Sequence, residues 1–232
     1  MAAGFAMGDL QTITCLLGAC LVCGAGCAAA GREFVGWPGW TRVIACLCGA
    51  LAGLCVGATA TSWWEVAELT ALAAVLLACS VTDLARRIIP NSLMAAAIAV
   101  RCVYLCFIAT LPGAGSMGAG YVQREFKTSL LGGATVLLVL MATHVLWTRA
   151  RGSPQRGFGG GDAKLLAVCG AYLGPIGGLA CVALACLLAL ACCFGAWATK
   201  RICGVKGQFP RAFPFAPQVL ASIVILTAYR AF

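Results

Sequence analysis

Apolar residues run along this chain in long, nearly uncharged stretches, not in the short alternations of a soluble strand or the striped pattern of a surface helix. Leu10 to Ala30, Val43 to Trp64, Val66 to Thr82, Leu93 to Leu111, Ser129 to Trp147 and Phe213 to Tyr229 each approach the roughly 20 apolar residues a helix needs to cross a bilayer. Leu165 to Thr199 is too long for one crossing. Gly174-Pro175 and Gly177-Gly178 punctuate it, which predicts a short leg and a full leg. Polar residues fall between the runs: Glu65 and Glu68; Asp83, Arg86, Arg87 and Pro90; a Gly-rich stretch from Pro112 to Gly120; and Arg149, Arg151 and Arg156, ending in Gly159-Gly160-Gly161-Asp162. The pattern predicts an all-α, polytopic transmembrane helix bundle of about six to eight spans, with residues 1–232 forming a single integral-membrane domain.

Composition excludes a water-soluble alternative. Hydrophobic residues make up 62% and charged residues 10%, against roughly 45–50% and 25% in globular domains. The net charge of +9 is spread singly and in pairs between apolar runs, so it offers nucleic acid no continuous footprint. With both termini outside, alternating passages gather Arg32, Arg42, Arg86, Arg87, Arg149, Arg151, Arg156, Lys164, Lys200, Arg201, Lys206 and Arg211 on one face, which the positive-inside rule makes cytoplasmic. Asp9, Glu65, Glu68 and Glu125 fall opposite. Arg101 sits inside the fourth span, where it either faces the bundle or snorkels to the interface. Most of the 16 cysteines lie beside Ala, Leu and Gly within apolar runs, as small hydrophobes and not a disulfide scaffold.

Of only seven acidic residues, two stand in unusual surroundings. Asp83 ends the third span, and Asp162 follows three glycines at the position of a helix N-cap. Alternation brings both to the same membrane face. Paired carboxylates there suit aspartic-protease chemistry: two that share a proton can act as a base toward water and as an acid toward a carbonyl. Gly159, Gly160 and Gly161 would let the backbone approach an extended substrate closely. The plainer reading pairs Asp83 with Arg86 or Arg87 one turn on and leaves Asp162 as a cap. A rival of another class is a small transporter carrying a proton or cation on the same aspartates. No internal repeat is visible, and both aspartates lie at one end of the bundle, which counts against it.

Asp83 to Asn91, with its basic pair and Ile-Pro-Asn, resembles the first aspartate motif of the type IV prepilin leader peptidases. Gly159-Gly160-Gly161-Asp162-Ala163-Lys164-Leu165-Leu166 resembles their second, the Gly-x-Gly-Asp signature, and Phe213-Pro214-Phe215-Ala216-Pro217 is similar to the Pro-Phe-x-Pro that opens their last helix. The resemblance spans roughly residues 66–232, the expected peptidase core. It implies an aspartic endopeptidase of the bacterial inner membrane that removes the basic leader of a prepilin or pseudopilin at the cytoplasmic face. Asp83 and Asp162 would be the catalytic pair, with Gly159, Gly160, Gly161, Arg86, Arg87 and Lys164 positioning substrate or backbone; Lys164 would tune the pair or hold a lipid phosphate. Hydrolysis of this kind needs no metal or cofactor. The large bifunctional members carry a cytoplasmic domain with two Cys-x-x-Cys pairs after their first span, whereas the corresponding loop here, Gly31 to Thr41, is short. Cys20-Leu21-Val22-Cys23 lies within the first span and supplies only one pair, so neither zinc nor methyltransferase activity is expected.

Overall fold

The computed structural model describes residues 18, 20, 22–24, 28, 40–59, 63–110, 119–151, 159–202 and 214–230. Six helices make up almost all of these residues: α1 (Trp40–Thr59), α2 (Trp63–Arg86), α3 (Asn91–Thr110), α4 (Ala119–Arg151), α5 (Gly160–Ile202) and α6 (Ala216–Arg230). Positions 18, 20, 22–24 and 28 are also helical. Most of the predicted first span, the loop over 31–39, the Gly-rich stretch from Pro112 to Gly118, Arg156 and the segment from Lys206 to Phe213 lie outside the described residues. Helices α2, α3, α4 and α5 are long and apolar enough to cross a membrane, and α1 and α6 contain shorter apolar helices. The chain is a helical membrane bundle, as the hydropathy pattern predicts.

The second predicted run does not continue to Trp64. Helix α1 stops at Thr59, and α2 starts at Trp63 and takes Glu65 and Glu68 into its first turns. Ser62-Trp63-Trp64-Glu65 has the spacing of a capping box, a start signal hidden inside an apolar stretch.

Helix α5 has the two legs expected of it. Gly174 adopts φ 75° and ψ −179°, a conformation L side chains avoid, and Pro175 begins the second leg, where its missing N–H costs nothing. The legs fold back on each other so tightly that a Cβ on Gly178 would stand 2.8 Å from Gly170 Cα. Helix α4 packs against this hairpin through Gly132, where a Cβ would strike the Gly170 carbonyl and the Gly174 backbone. Small residues permit such approach in lipid, where van der Waals packing replaces the hydrophobic drive. Helix α6 packs on α1, α2 and α5, so Leu72, Leu76, Leu165, Leu166, Val219 and Ile223 share one core. Cys79, Cys169 and Cys181 are buried in it as free thiols, in keeping with their expected role as small hydrophobes, while Cys46 is disulfide-bonded.

Arg101 does not snorkel. It is buried, its Nη1 donates to Glu68 Oε1 at 2.8 Å and its Nη2 to Glu125 Oε2 at 3.0 Å, and its Nε reaches Ser129 Oγ at 3.3 Å. The guanidinium carbon lies 5.4 Å from the ring centres of both Tyr104 and Tyr172, and the Tyr172 hydroxyl donates to the Ala97 carbonyl at 2.6 Å. A charge taken out of water must be met by partners of this kind, and here they tie α2, α3, α4 and α5 together.

Candidate active site

Asp83 lies in the last turn of α2 and is buried. Around it the helix satisfies its own polar groups: Ser80 Oγ donates to the Leu76 carbonyl at 2.7 Å and Thr82 Oγ1 to the Cys79 carbonyl at 3.0 Å. The helix closes at Arg87, whose φ of 56° places it in the left-handed region and whose N–H donates to the Asp83 carbonyl at 2.9 Å. Arg86 and Arg87 are exposed at this end. The Asp83 carboxylate does not turn to them. Its Oδ2 accepts the backbone N–H groups of Phe215 at 2.6 Å and Ala216 at 2.9 Å, at the start of α6.

Asp162 is half-buried in the first turn of α5, but not as the N-cap. Gly159 holds the cap position, since its carbonyl accepts the first helical bond, from Ala163 N at 3.1 Å. Glycine is itself an acceptable cap, so three in a row hide which one serves. Asp162 is the third residue of the helix, and a Cβ added to Gly159 would lie 2.7 Å from its Oδ2. Gly161 packs on Ile89, where a Cβ would be 3.3 Å from the isoleucine Cβ, and Gly160 borders open space. Lys164 Nζ donates to Asn91 Oδ1 at 3.1 Å.

These contacts join the two motifs. The Ile89-Pro90-Asn91 connection between α2 and α3 lies against the start of α5, and Asp83 and Asp162 stand within electrostatic range of each other. A model of the type IV leader peptidase family matches residues 70–195, a segment that contains both aspartates, the Ile-Pro-Asn connection and the three glycines. The chain belongs to this family. No curated protein and no solved structure matches it. Type IV leader peptidases hydrolyse peptide bonds, and the chain is a membrane peptidase on that ground.

Phe215 and Ala216 lie beyond the segment matched to the family, and only the fold attaches their N–H groups to Asp83. The sequence did contain a signal. Pro214-Phe215-Ala216-Pro217 opens a helix without any Ser, Thr, Asp or Asn to cap it, so its first N–H groups need an acceptor from elsewhere.

Proposed function

We propose that the protein is an aspartic endopeptidase that removes the basic leader of type IV prepilin or pseudopilin substrates at the cytoplasmic face of a bacterial inner membrane, with Asp83 and Asp162 as the catalytic pair. The observation that carries this reading is the meeting of the two motifs: the connection after Asp83 packs on the glycines before Asp162, and the carboxyl groups interact. One carboxylate takes a proton from water while the hydroxide oxygen bonds to the scissile carbonyl carbon. The other, protonated, gives its proton to the carbonyl oxygen as the C=O electron pair moves there. When the tetrahedral species collapses, the C–N bond breaks, the first aspartic acid protonates the departing nitrogen, and the second carboxylate takes back a hydroxyl proton. No covalent intermediate, metal or cofactor enters this scheme.

The basic residues gathered on the aspartates' side support the cytoplasmic orientation through the positive-inside rule. The short stretch between the first two apolar runs, without a pair of Cys-x-x-Cys motifs, supports a stand-alone peptidase without methyltransferase activity. The test is cleavage of a prepilin-type substrate, carrying a basic leader and an apolar helix, in proteoliposomes. Wild type should release the leader, and Asp83→Asn and Asp162→Asn should each reduce release at least a thousandfold. Undiminished cleavage by either variant would refute the assignment.

A further inference from the structure

We propose that Asp83 is the base and Asp162 the acid of the pair, because the N-terminus of α6 holds Asp83 as a carboxylate through the N–H groups of Phe215 and Ala216. The assignment rests on the aspartic-peptidase reading above and divides its two roles.

Helix α6 has no cap of its own. Phe215 takes the cap position, its carbonyl accepting from Gln218 N at 3.1 Å and Val219 N at 3.3 Å, and Pro217 has no N–H to offer. In the amide orientation that satisfies both groups, Gln218 donates to the Phe215 carbonyl at 3.0 Å and the Pro214 carbonyl at 2.8 Å, which fixes this turn. The first N–H groups of the helix, from Phe215 and Ala216, converge on one oxygen, Asp83 Oδ2. Hydrogen bonds this short, to an acceptor that caps a helix, favour the charged form. They also spare Oδ1, which has no donor among the described residues and is the atom left for water.

Asp162 is held differently. As the third residue of α5 it also feels a helix N-terminus, which favours charge. Its carboxyl, however, accepts no hydrogen bond from the described residues, and a direct charge-assisted bond outweighs a dipole that water and salt screen. Two such bonds against none decide the allocation. Other charged groups on the packed elements do not reverse it: Arg86 and Arg87 are exposed at the end of α2, Arg42 is exposed near the start of α1, and Lys164 on α5 is bonded to Asn91. The Cys79 thiol, one turn below Asp83, is buried and not disulfide-bonded. In the first step Asp83 Oδ1 therefore removes the proton from water, and Asp162 protonates the carbonyl oxygen. In the second, Asp83 returns its proton to the leaving nitrogen and Asp162 recovers one from the tetrahedral hydroxyl.

Ala216→Pro tests the positioning role. Proline is tolerated at the first helical position, so this change removes one N–H from Asp83 and leaves the helix. With one donor gone the carboxylate is held less firmly toward the water, so kcat should fall by about tenfold or more, with KM unchanged. Ala216→Gly keeps the N–H and should retain most of the wild-type kcat. Wild-type kcat in Ala216→Pro, or a loss in Ala216→Gly as large as in the proline variant, overturns the proposal. Infrared difference spectra need neither turnover nor the proline variant. A protonated-carboxyl band of the wild type should disappear in Asp162→Asn, and its persistence there overturns the assignment. Wild-type protein that cleaves nothing would refute the peptidase reading, while the infrared result would still locate the proton.

Discussion

Replacing Arg101 by methionine removes a charge from the middle of the bundle and leaves its partners in place. The side chains of Arg101 and Glu68 are 8% and 4% exposed and 2.8 Å apart, whereas Glu125 is 27% exposed. Water reaches Glu125 and screens it, so the Glu68 arm carries most of the effect. Removing one partner of a buried pair costs about 3–5 kcal/mol, because the other charge is left in a medium that cannot solvate it. Polar contacts in membranes fall toward the lower end of such ranges, since the unfolded chain in lipid also finds partners. Arg101→Met should therefore lose about 3 kcal/mol, read from equilibrium unfolding in mixed micelles. The double variant Arg101→Met/Glu68→Leu carries neither buried charge and should recover most of the loss, as an apolar replacement of an ion pair often does. Glu68 lies about 22 Å along α2 from Asp83 at 1.5 Å per residue, so cleavage per folded molecule should not change. A single variant within 1 kcal/mol of wild type, or a double variant no more stable than the single, would refute the argument.

Other substitutions probe the helix contacts and the pair directly. Gly159→Ala puts a methyl group 2.7 Å from Asp162 Oδ2 and displaces the carboxyl; kcat should fall by about 100-fold, the cost of roughly 1 Å of misplacement, with about 1 kcal/mol lost in unfolding because alanine is a poorer N-cap than glycine. Gly132→Ala drives a methyl into the backbone of Gly170 and Gly174, and overpacking at this contact should destabilise the bundle by about 1–3 kcal/mol or more, measured in the same unfolding assay. Gly174→Ala forces an L side chain to φ 75° and should cost about 1–3 kcal/mol, or straighten the hairpin into a state that cysteine cross-linking between the two legs would detect.

The helices were legible because lipid imposes a length on every apolar run, and the hairpin was legible because Gly174-Pro175 cannot continue a helix. That Asp83 and Asp162 lie at one end of the bundle followed from counting passages, which needs no knowledge of helix rotation. Partners did depend on rotation. Arg101 is 33 residues from Glu68 and 24 from Glu125, and a hydropathy pattern does not say which faces of α2, α3 and α4 meet. The rule that intramembrane charges are paired says that Arg101 needs a partner, but the sequence did not name which acid supplies it. The Asp83 contact follows the same logic from the opposite side: α6 opens without a capping side chain, and the Asp83 carboxylate meets its N–H groups instead of the basic pair one turn on. Both cases yield to one question, where a buried donor or charge finds its complement, and in lipid that question has few answers. Asp162 was misplaced by three positions for a narrower reason: glycine carries no side chain to mark which residue closes the cap, so only the Ala163 to Gly159 bond reveals it.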